Sequence, residues 1–347
     1  MRNEIKSMNF EQSSSANINR QLEKKILTRV GYPGAVAPYR AGYGPAETDT
    51  RIDNVLTRDN LRLQMLRDMY DNCESPVLAH SQWRREFAER LPLGCFRGES
   101  SYMWQIADGN VPIHYVATYY YLKNAFSDDL LTACVEDHAF GVQGIDIGSD
   151  FVTRDRLDSV CEIGFLRGVF GLRKSSELTV LDIGSGYGRL AWRLSQCYPK
   201  ANIICADAIA ESSFLCEFYL DYRQASRRVR MVPLPHLRSE LSKSSVDLAV
   251  AVNSLTECTA TAVEWWLDLL CESNVPYLFI VPHAAFKEGM HISTCEVKGS
   301  ERKDIIPLLE SRGFRRRIFC PKYAEPAMQK YGVSPTYYHL FERVTKD

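Results

Sequence analysis

The stretch that decides the fold is Val180-Leu181-Asp182-Ile183-Gly184-Ser185-Gly186-Tyr187-Gly188-Arg189-Leu190. An apolar run ends at a carboxylate, three glycines follow at every second position, and Leu190 opens a segment with helical spacing of apolar residues. This order predicts a strand, a tight turn and a helix. Glycines in such a turn permit unusual dihedrals and let a ligand approach the backbone, and the helix start offers unpaired N–H groups. The stretch therefore predicts a ligand-binding turn.

The spacing of the glycines separates two classes of ligand. A dinucleotide fingerprint reads G-x-G-x-x-G, whereas here Gly188 comes one residue early and Arg189 stands at the expected place. A nicotinamide cofactor is therefore disfavoured. Asp207 follows a second apolar run, 201–206, and a carboxylate at the end of a neighbouring parallel strand can accept hydrogen bonds from ribose hydroxyls. An alternative role for Asp207 is to cap the helix that begins near Ala210, and the two roles are compatible.

Composition and charge limit the possible partners. The chain has 347 residues, 45% of them hydrophobic, and a formal net charge of −1. This balance predicts a folded globular protein, and without a long basic block we expect no nucleic-acid partner. No apolar run approaches the roughly 18 residues of a membrane span, so we expect no membrane association. The 11 cysteines lack metal-ligand spacing and the first thirty residues lack an apolar signal core, which favours a cytoplasmic protein without a zinc site.

The chain beyond the glycine turn alternates apolar runs with helical patterns. Further strands are predicted over 229–233, 246–252, 276–281, 314–319 and 336–341. Helices are predicted over 210–222, 257–271 and 301–311. Strands that alternate with helices form a parallel sheet covered on both faces, so this half is predicted to be a doubly wound α/β domain.

The chain before the glycine turn reads as mainly helical. Helices are predicted over 21–30, 55–70, 81–91, 111–126 and 154–172. Residues 136–144 mix ionisable groups with glycines, and we interpret them as a loop that could approach the active site. We therefore divide the chain into a helical N-terminal region, residues 1–150, which is a candidate cap over the acceptor, and a sheet domain, residues 151–347.

Ligands of doubly wound sheets bind outside the carboxyl ends of the strands. The candidate cofactor-binding residues are therefore Asp182, Gly184, Ser185, Gly186, Tyr187, Gly188, Asp207, Ala208 and Asn253. The candidates for a general base are Glu257 after the fourth strand, His283 after the fifth, and His138 in the loop before the domain. Imidazole is a natural base near neutral pH, whereas a carboxylate needs desolvation to become one. Ordinary roles remain open, since Glu257 could belong to a helix start and His283 to a surface turn.

Three blocks of the sequence resemble the sugar O-methyltransferase family, whose members pair a helical N-terminal region with a class I S-adenosylmethionine (SAM)-dependent methyltransferase domain. The blocks are Asp182–Leu190, Asp207–Glu211 with Phe218–Leu220, and Asp247–Glu257. The first block also resembles motif I of the whole class, in which the turn wraps the amino-acid half of SAM. Two departures are Ala208-Ile209-Ala210, where members often have an aliphatic-Pro pair, and Cys258, where they have Met.

The resemblance implies a fold, a cofactor and a reaction. The implied fold is a Rossmann-like, seven-stranded class I methyltransferase sheet with an antiparallel last strand and a helical N-terminal cap. The implied cofactor is S-adenosyl-L-methionine, and the implied reaction moves a methyl group to a hydroxyl of a sugar or glycosylated metabolite. A phenol or polyketide acceptor, or a catalytically silent SAM-binding protein, remains as an alternative. Because no cluster of carboxylates stands near the strand ends, we expect a metal-independent reaction.

Overall fold

The computed structural model describes residues 24–29, 39–43, 50–78, 83, 88–98, 112–126, 129–225, 227–283, 289–296 and 301–344. The helices are α1 (24–29), α2 (Thr50–Val55), α3 (Leu61–Asp71), α4 (Pro112–Ala125), α5 (Asp129–Ala133), α6 (Arg154–Phe170), α7 (Arg189–Cys197), α8 (Ala210–Tyr222), α9 (Leu234–Leu241), α10 (Ala260–Glu272), α11 (Ile306–Ser311) and α12 (Pro326–Tyr331). The strands are β1 (Tyr39–Tyr43), β2 (Gln143–Ile147), β3 (Asp150–Val152), β4 (Thr179–Ile183), β5 (Asn202–Ala206), β6 (Val229–Met231), β7 (Leu248–Val252), β8 (Tyr277–Val281), β9 (Phe314–Pro321) and β10 (Tyr337–Arg343). Short 3-10 helices lie at Pro76–Leu78, Leu93–Cys95, Ala139–Gly141 and Ser254–Glu257.

The main sheet has seven strands in the order β6-β5-β4-β7-β8-β10-β9. Strands β4 to β8 pair in parallel, and β10 runs antiparallel to both β8 and β9. The central strands are apolar along nearly their whole length, because helices cover both faces of the sheet. The predicted doubly wound, Rossmann-like seven-stranded sheet with an antiparallel last strand is confirmed.

A second, smaller sheet adds strands to an N-terminal region for which the sequence predicted only helices and loops. β1, β2 and β3 form an antiparallel three-stranded sheet, and β2 begins within the segment predicted as a loop, 136–144. The sequence of β2, Q-G-I-D-I, gives little strand signal because Gly and Asp are depleted in strands. The boundary predicted after residue 150 falls inside β3, between paired residues of this sheet. The division into two domains stays a prediction.

Several helices begin or end away from their predicted positions. The pattern over 55–70 is divided between α2 and α3, because the side chain of Asn60 accepts the N–H of Arg62 at 2.8 Å and starts a new helix. α10 begins at Ala260 rather than at residue 257, with Thr259 as its N-cap. α11 covers only the second half of the predicted helix 301–311, and α12 lies between the last two strands, where no helix was predicted. Most of the helix predicted over 81–91 lies outside the described residues.

A cluster of buried charges joins the N-terminal region to the sheet domain, and we call it the arginine network. Its members are Arg97, Glu136, Asp137, Arg193 and Arg223. Glu136 accepts hydrogen bonds from Arg97 at 2.5 Å and from Arg193 at 2.6 Å, and all three side chains are fully buried. Since Arg193 lies on α7 and Arg97 precedes β2, these ion pairs fix the two parts of the chain against each other. No helix in the described part of the chain has the length and apolarity that crossing a membrane requires.

Candidate functional site

The parallel strands bring the predicted site residues to one edge of the main sheet. β4, β5, β7 and β8 run in the same direction, so their carboxyl ends lie side by side. The residues at or just beyond these ends are Asp182 and the glycine turn, Asp207, Asn253 to Glu257, and His283. We call this row the carboxyl edge.

The first glycine of the turn is required by a close contact between two strand ends. Gly184 has a φ of +68°, and a Cβ there would lie 2.3 Å from the Cβ of Ser254. Ser254 follows β7, and its hydroxyl donates a hydrogen bond of 2.6 Å to the carbonyl of Ile183 at the end of β4. The backbone N–H groups of Gly184 and Ser185 are bound to the carbonyl of Ala206 on β5. The turn is therefore fastened to both neighbouring strands.

Asp207 connects the glycine turn to the end of β5. One carboxylate oxygen accepts the N–H of Gly186 at 2.9 Å and the other accepts the N–H of Ile209, also at 2.9 Å. The N-cap of α8 is Ile209, so Asp207 does not cap the helix. Its bond to the N–H of Ile209, two residues later, closes a local turn before the helix begins. Each oxygen keeps a second lone pair for a ligand hydroxyl. Burial raises the pKa of this carboxyl to about 7, although hydrogen bonds from the backbone N–H groups of Ile209, Gly186 and Ala208 oppose the shift.

Asp182 is a buried carboxylate with an unsatisfied oxygen. Its side chain is 3% exposed, and Oδ2 has no hydrogen-bond partner among the described residues. Burial raises its pKa to about 7; Arg189 opposes the shift, and the charges of Glu162 and Asp207 add to it. Buried polar atoms in native proteins are nearly always satisfied, so an exception calls for a physical explanation. A ligand group bound at the glycine turn would supply one.

Two of the predicted base candidates form a hydrogen-bonded pair. Nε2 of His283 lies 2.5 Å from Oε1 of Glu257, and the second carboxylate oxygen accepts the indole N–H of Trp83 at 2.6 Å. Glu257 ends the Ser254–Glu257 turn beyond β7, and its charge contributes to the raised pKa of Asp207. The pair therefore lies near the carboxylate that faces the glycine turn. Trp83 was missed by the sequence analysis, because nothing in the local pattern around it indicates a contact with residue 257.

Two side chains of the glycine turn point into the protein interior. Tyr187 is 2% exposed, and its hydroxyl donates to Asp155 at 2.5 Å while its ring packs against Phe96. Ser185 is also buried, with its hydroxyl 3.9 Å from the sulfur of Cys216. Any contact of these two residues with a ligand would therefore be made by their backbone atoms. The sequence predicted both as cofactor-binding residues without separating backbone from side-chain contacts.

The remaining candidate cofactor residues differ in backbone conformation. Asn253 has a φ of +64°, a region that residues other than glycine rarely adopt, and its carbonyl accepts hydrogen bonds from the N–H and hydroxyl of Thr256. Such strained positions cluster at ligand sites. Gly188, with a φ of +86°, is the N-cap of α7. Ala208 is half-buried beside Asp207.

His138, the third candidate for the general base, packs in a different part of the structure from the hydrogen-bonded pair of Glu257 and His283. It precedes the 3-10 helix Ala139–Gly141, and its ring packs against Phe151 of β3 with 3.9 Å between centroids. Glu257 and His283 contact each other without it. Within the described ranges, no group of three or more His, Cys, Asp or Glu side chains is arranged to hold a metal ion.

Comparisons with known proteins give structural likenesses only. No family model matches the sequence, and no curated protein matches it. A SAM-dependent methyltransferase from Aquifex aeolicus is 17% identical and covers 52% of this chain and 89% of its own, with a TM-score of 0.37. Magnesium protoporphyrin IX methyltransferase from Synechocystis PCC 6803, solved with bound SAM, is 14% identical, covers 55% and 79%, and also has a TM-score of 0.37. Mitomycin 7-O-methyltransferase is 15% identical and covers 55% of this chain and 56% of its own, with a TM-score of 0.37. The strand order of the main sheet carries the fold.

Proposed function

We propose that this chain is a SAM-dependent methyltransferase that transfers a methyl group to a hydroxyl of a sugar or glycosylated small molecule. The observation that carries the proposal is the 2.9 Å hydrogen bond between the N–H of Gly186 and the carboxylate of Asp207. It joins a glycine turn to a carboxylate on the neighbouring strand, so one ligand can contact both. A SAM-like molecule, with an amino-acid half and a ribose, has the groups that such a pair would bind.

The charges at the carboxyl edge favour a cationic ligand over an anionic one. Asp182 and Asp207 are both buried, and within the described ranges neither forms an ion pair with an arginine or lysine. A dinucleotide would bring phosphates toward these carboxylates, which repel negative charge. SAM supplies an activated methyl group on a positively charged sulfonium, and it carries an ammonium group as well. In this proposal the glycine turn and Asp182 hold its amino-acid half, and Asp207 holds the ribose hydroxyls.

The hydrogen-bonded pair at the carboxyl edge supports transfer to an oxygen atom. A hydroxyl group is a poor nucleophile until its proton is removed, and a positioned base typically accelerates such a step by about 10²- to 10⁴-fold. In the proposal His283 takes the proton from the acceptor hydroxyl, while Glu257 orients the imidazole and stabilises its charged form. Trp83 holds Glu257 through the indole N–H, which fixes the carboxylate for that task.

The nature of the acceptor is the part of the proposal that rests on resemblance. Trp83 is half-buried and contacts Glu257 directly, so an indole surface lies beside the proposed base. Aromatic surfaces suit the apolar C–H faces of sugars, and they equally suit a phenol or polyketide ring. A sugar acceptor, a metal-independent reaction and a cytoplasmic location stay predictions. A silent SAM-binding protein is the second candidate, and it differs from the first in lacking turnover.

The first test is isothermal titration with SAM and, separately, with S-adenosylhomocysteine. We expect micromolar binding by the unaltered protein and at least tenfold weaker binding by Asp207→Ala. The matched control is Asp247→Ala, because Asp247 also accepts a backbone N–H, that of Thr179 at 2.7 Å, but at the amino end of the same sheet. Absence of binding by the unaltered protein, or equal losses in both variants, would contradict the proposal.

The second test addresses the base. Turnover is measured by release of S-adenosylhomocysteine with a panel of glycosides, nucleotide sugars and phenols. We expect His283→Ala to lower turnover at least a hundredfold with SAM affinity unchanged, and His236→Ala, an exposed histidine on α9, to leave both unchanged. Full activity of His283→Ala would exclude it as the base, and SAM binding without turnover of any acceptor would favour the silent alternative.

A further inference from the structure

Tyr70 is a buried side chain of the N-terminal region that reaches the carboxyl edge. It lies near the end of α3 and is 6% exposed. Its hydroxyl donates a hydrogen bond of 2.9 Å to the carbonyl of Asp207 and accepts the N–H of Leu234 at 3.2 Å. It also lies 2.7 Å from the hydroxyl of Ser213 on α8. One phenol thus connects three separate segments of the sheet domain.

The two backbone groups that Tyr70 binds belong to neighbouring loops of the site. Asp207 follows β5, and Leu234 opens α9 after β6. β5 and β6 pair in parallel, so these loops leave the same edge of the sheet side by side. The side-chain carboxylate of Asp207 accepts hydrogen bonds from the N–H groups of Gly186 and Ile209. The backbone carbonyl of the same residue accepts the hydroxyl of Tyr70. The direction of the Asp207 side chain therefore depends on both sets of contacts.

α3 itself is fastened to α8 at two further points. Arg67 pairs with Glu211 at 2.7 Å, and Arg62 binds Glu217 through two nitrogen atoms at 2.5 and 2.8 Å. Both pairs run from α3 to α8, the helix that follows Asp207. Because α3 is anchored along its length, the hydroxyl of Tyr70 has a fixed position rather than an adjustable one.

We propose that Tyr70 is a positioning residue for the adenosine half of the cofactor. By fixing the carbonyl of Asp207 and the N–H of Leu234, it sets the separation of the two loops and aims the carboxylate at the ribose hydroxyls. This inference rests on the proposed function. It also means that the N-terminal region forms part of the cofactor site, in addition to the cap over the acceptor that the sequence predicts.

The test compares Tyr70→Phe with a matched loss of a buried phenol elsewhere. Tyr323 is fully buried, and its hydroxyl donates to the carbonyl of Val333 at 2.6 Å, so Tyr323→Phe removes a comparable hydrogen bond away from this loop pair. Dissociation constants for S-adenosylhomocysteine and for adenosine are measured by titration well below the melting temperature of each variant. We expect Tyr70→Phe to weaken both ligands by about five- to tenfold and Tyr323→Phe to weaken neither. A purely structural role would lower the melting temperature of both variants without moving either dissociation constant.

The outcomes separate this inference from the proposed function. If the unaltered protein binds neither ligand, the proposed cofactor is wrong. If it binds both and Tyr70→Phe binds them within twofold as well, the role of Tyr70 is wrong and the cofactor stands. Should Tyr70→Phe fail to fold, Ser213→Ala leaves the phenol in place and removes one of its partners. We expect a two- to threefold weaker affinity from that variant, and an unchanged affinity would overturn the inference.

Discussion

The arginine network and the carboxyl edge both contain buried carboxylates, but folding lowers the pKa of the carboxylate in the network and raises the pKa of those at the edge. Burial alone would raise the pKa of Glu136, yet Arg97 and Arg193 outweigh it and the pKa lies below its ordinary value. Asp182 is equally buried, and its pKa rises to about 7 because nothing offsets the desolvation fully. The carboxylate of Glu136 is thus paired with two arginines of the protein itself, whereas Asp182 has no such pair among the described residues.

This difference separates structural charges from functional ones. Buried ionisable groups are common to both regions, so burial does not identify the site. The distinguishing property is a missing counter-charge, which makes perturbed carboxylates such as Asp182 and Asp207 candidates for ligand contact. The fully paired Glu136 is a candidate for holding the fold together.

The largest expected effect is the loss of a carboxylate from the network. Glu136→Gln leaves Arg97 and Arg193 buried without their shared counter-charge, and we expect the free energy of unfolding to fall by about 3–5 kcal/mol. Urea denaturation measures this free energy of unfolding. The control is Glu177→Gln, whose exposed pair with Lys200 should leave the midpoint unchanged. Similar midpoints for the two variants would show that the network does not stabilise the fold.

The opposite result is expected at the carboxyl edge. Because folding raises the pKa of Asp182 from 3.8 to about 7, the folded state binds a proton more tightly, and its stability falls as pH rises from about 4 to 7. The Asp182→Asn variant has no carboxyl group at this position, so its stability lacks this dependence on pH. We expect the variant to be more stable than the unaltered protein by on the order of 2 kcal/mol at pH 8 and to lose that advantage toward pH 4. Asp221→Asn, at an exposed position, should show no such pH dependence. A destabilised Asp182→Asn at pH 8 would remove the contrast between the regions.

Cofactor affinity should also depend on pH at the carboxyl edge. With a pKa of about 7, Asp207 is protonated in acid and then loses acceptor capacity for the ribose hydroxyls that we propose it binds. We expect the affinity for S-adenosylhomocysteine to fall by about tenfold between pH 8 and pH 6, following the linkage of one proton. In Asp207→Asn the affinity should be weak and less dependent on pH. A flat profile in the unaltered protein would mean that Asp207 does not titrate in this range.

The smallest expected effect belongs to a charge pair outside both regions. Arg62 binds Glu217 across α3 and α8, but its side chain is 40% exposed. We expect Arg62→Gln to lower the free energy of unfolding by roughly 0.2–1 kcal/mol, as for other exposed pairs. Thermal melts at low and high salt test this, because the difference should shrink as salt screens the pair. A loss as large as that of Glu136→Gln would show that exposure does not set the strength of these pairs.

Local patterns in the sequence predicted the main sheet and the identities of its edge residues. The glycine turn and Asp207 could be found because each follows an apolar run of strand length. That Glu257 and His283 lie close together follows from topology, since parallel neighbouring strands end at one edge. Their hydrogen bond, and the packing of His138 against Phe151 instead, came only from the structure.

Long-range packing accounts for what the sequence did not reveal. Tyr70 and Trp83 meet their site partners across 137 and 174 residues, and no periodic pattern marks such contacts. Arg193 lies 57 residues from Glu136 along the chain, so no local sequence pattern indicates that the charges of the arginine network are in contact. β1 and β2 were missed because each strand is formed by pairing with the other rather than by strong strand propensity.

The position of β10 has a consequence for how the protein is made. β10 fills the space between β8 and β9, so during synthesis β8 is finished well before its neighbour exists. At about 5–20 residues per second, the interval before β10 is synthesised lasts on the order of several seconds. Throughout that time β8 presents an unpaired apolar edge of the kind that recruits other chains. The edge of β8 is therefore covered only when the last strand of the sheet has been synthesised.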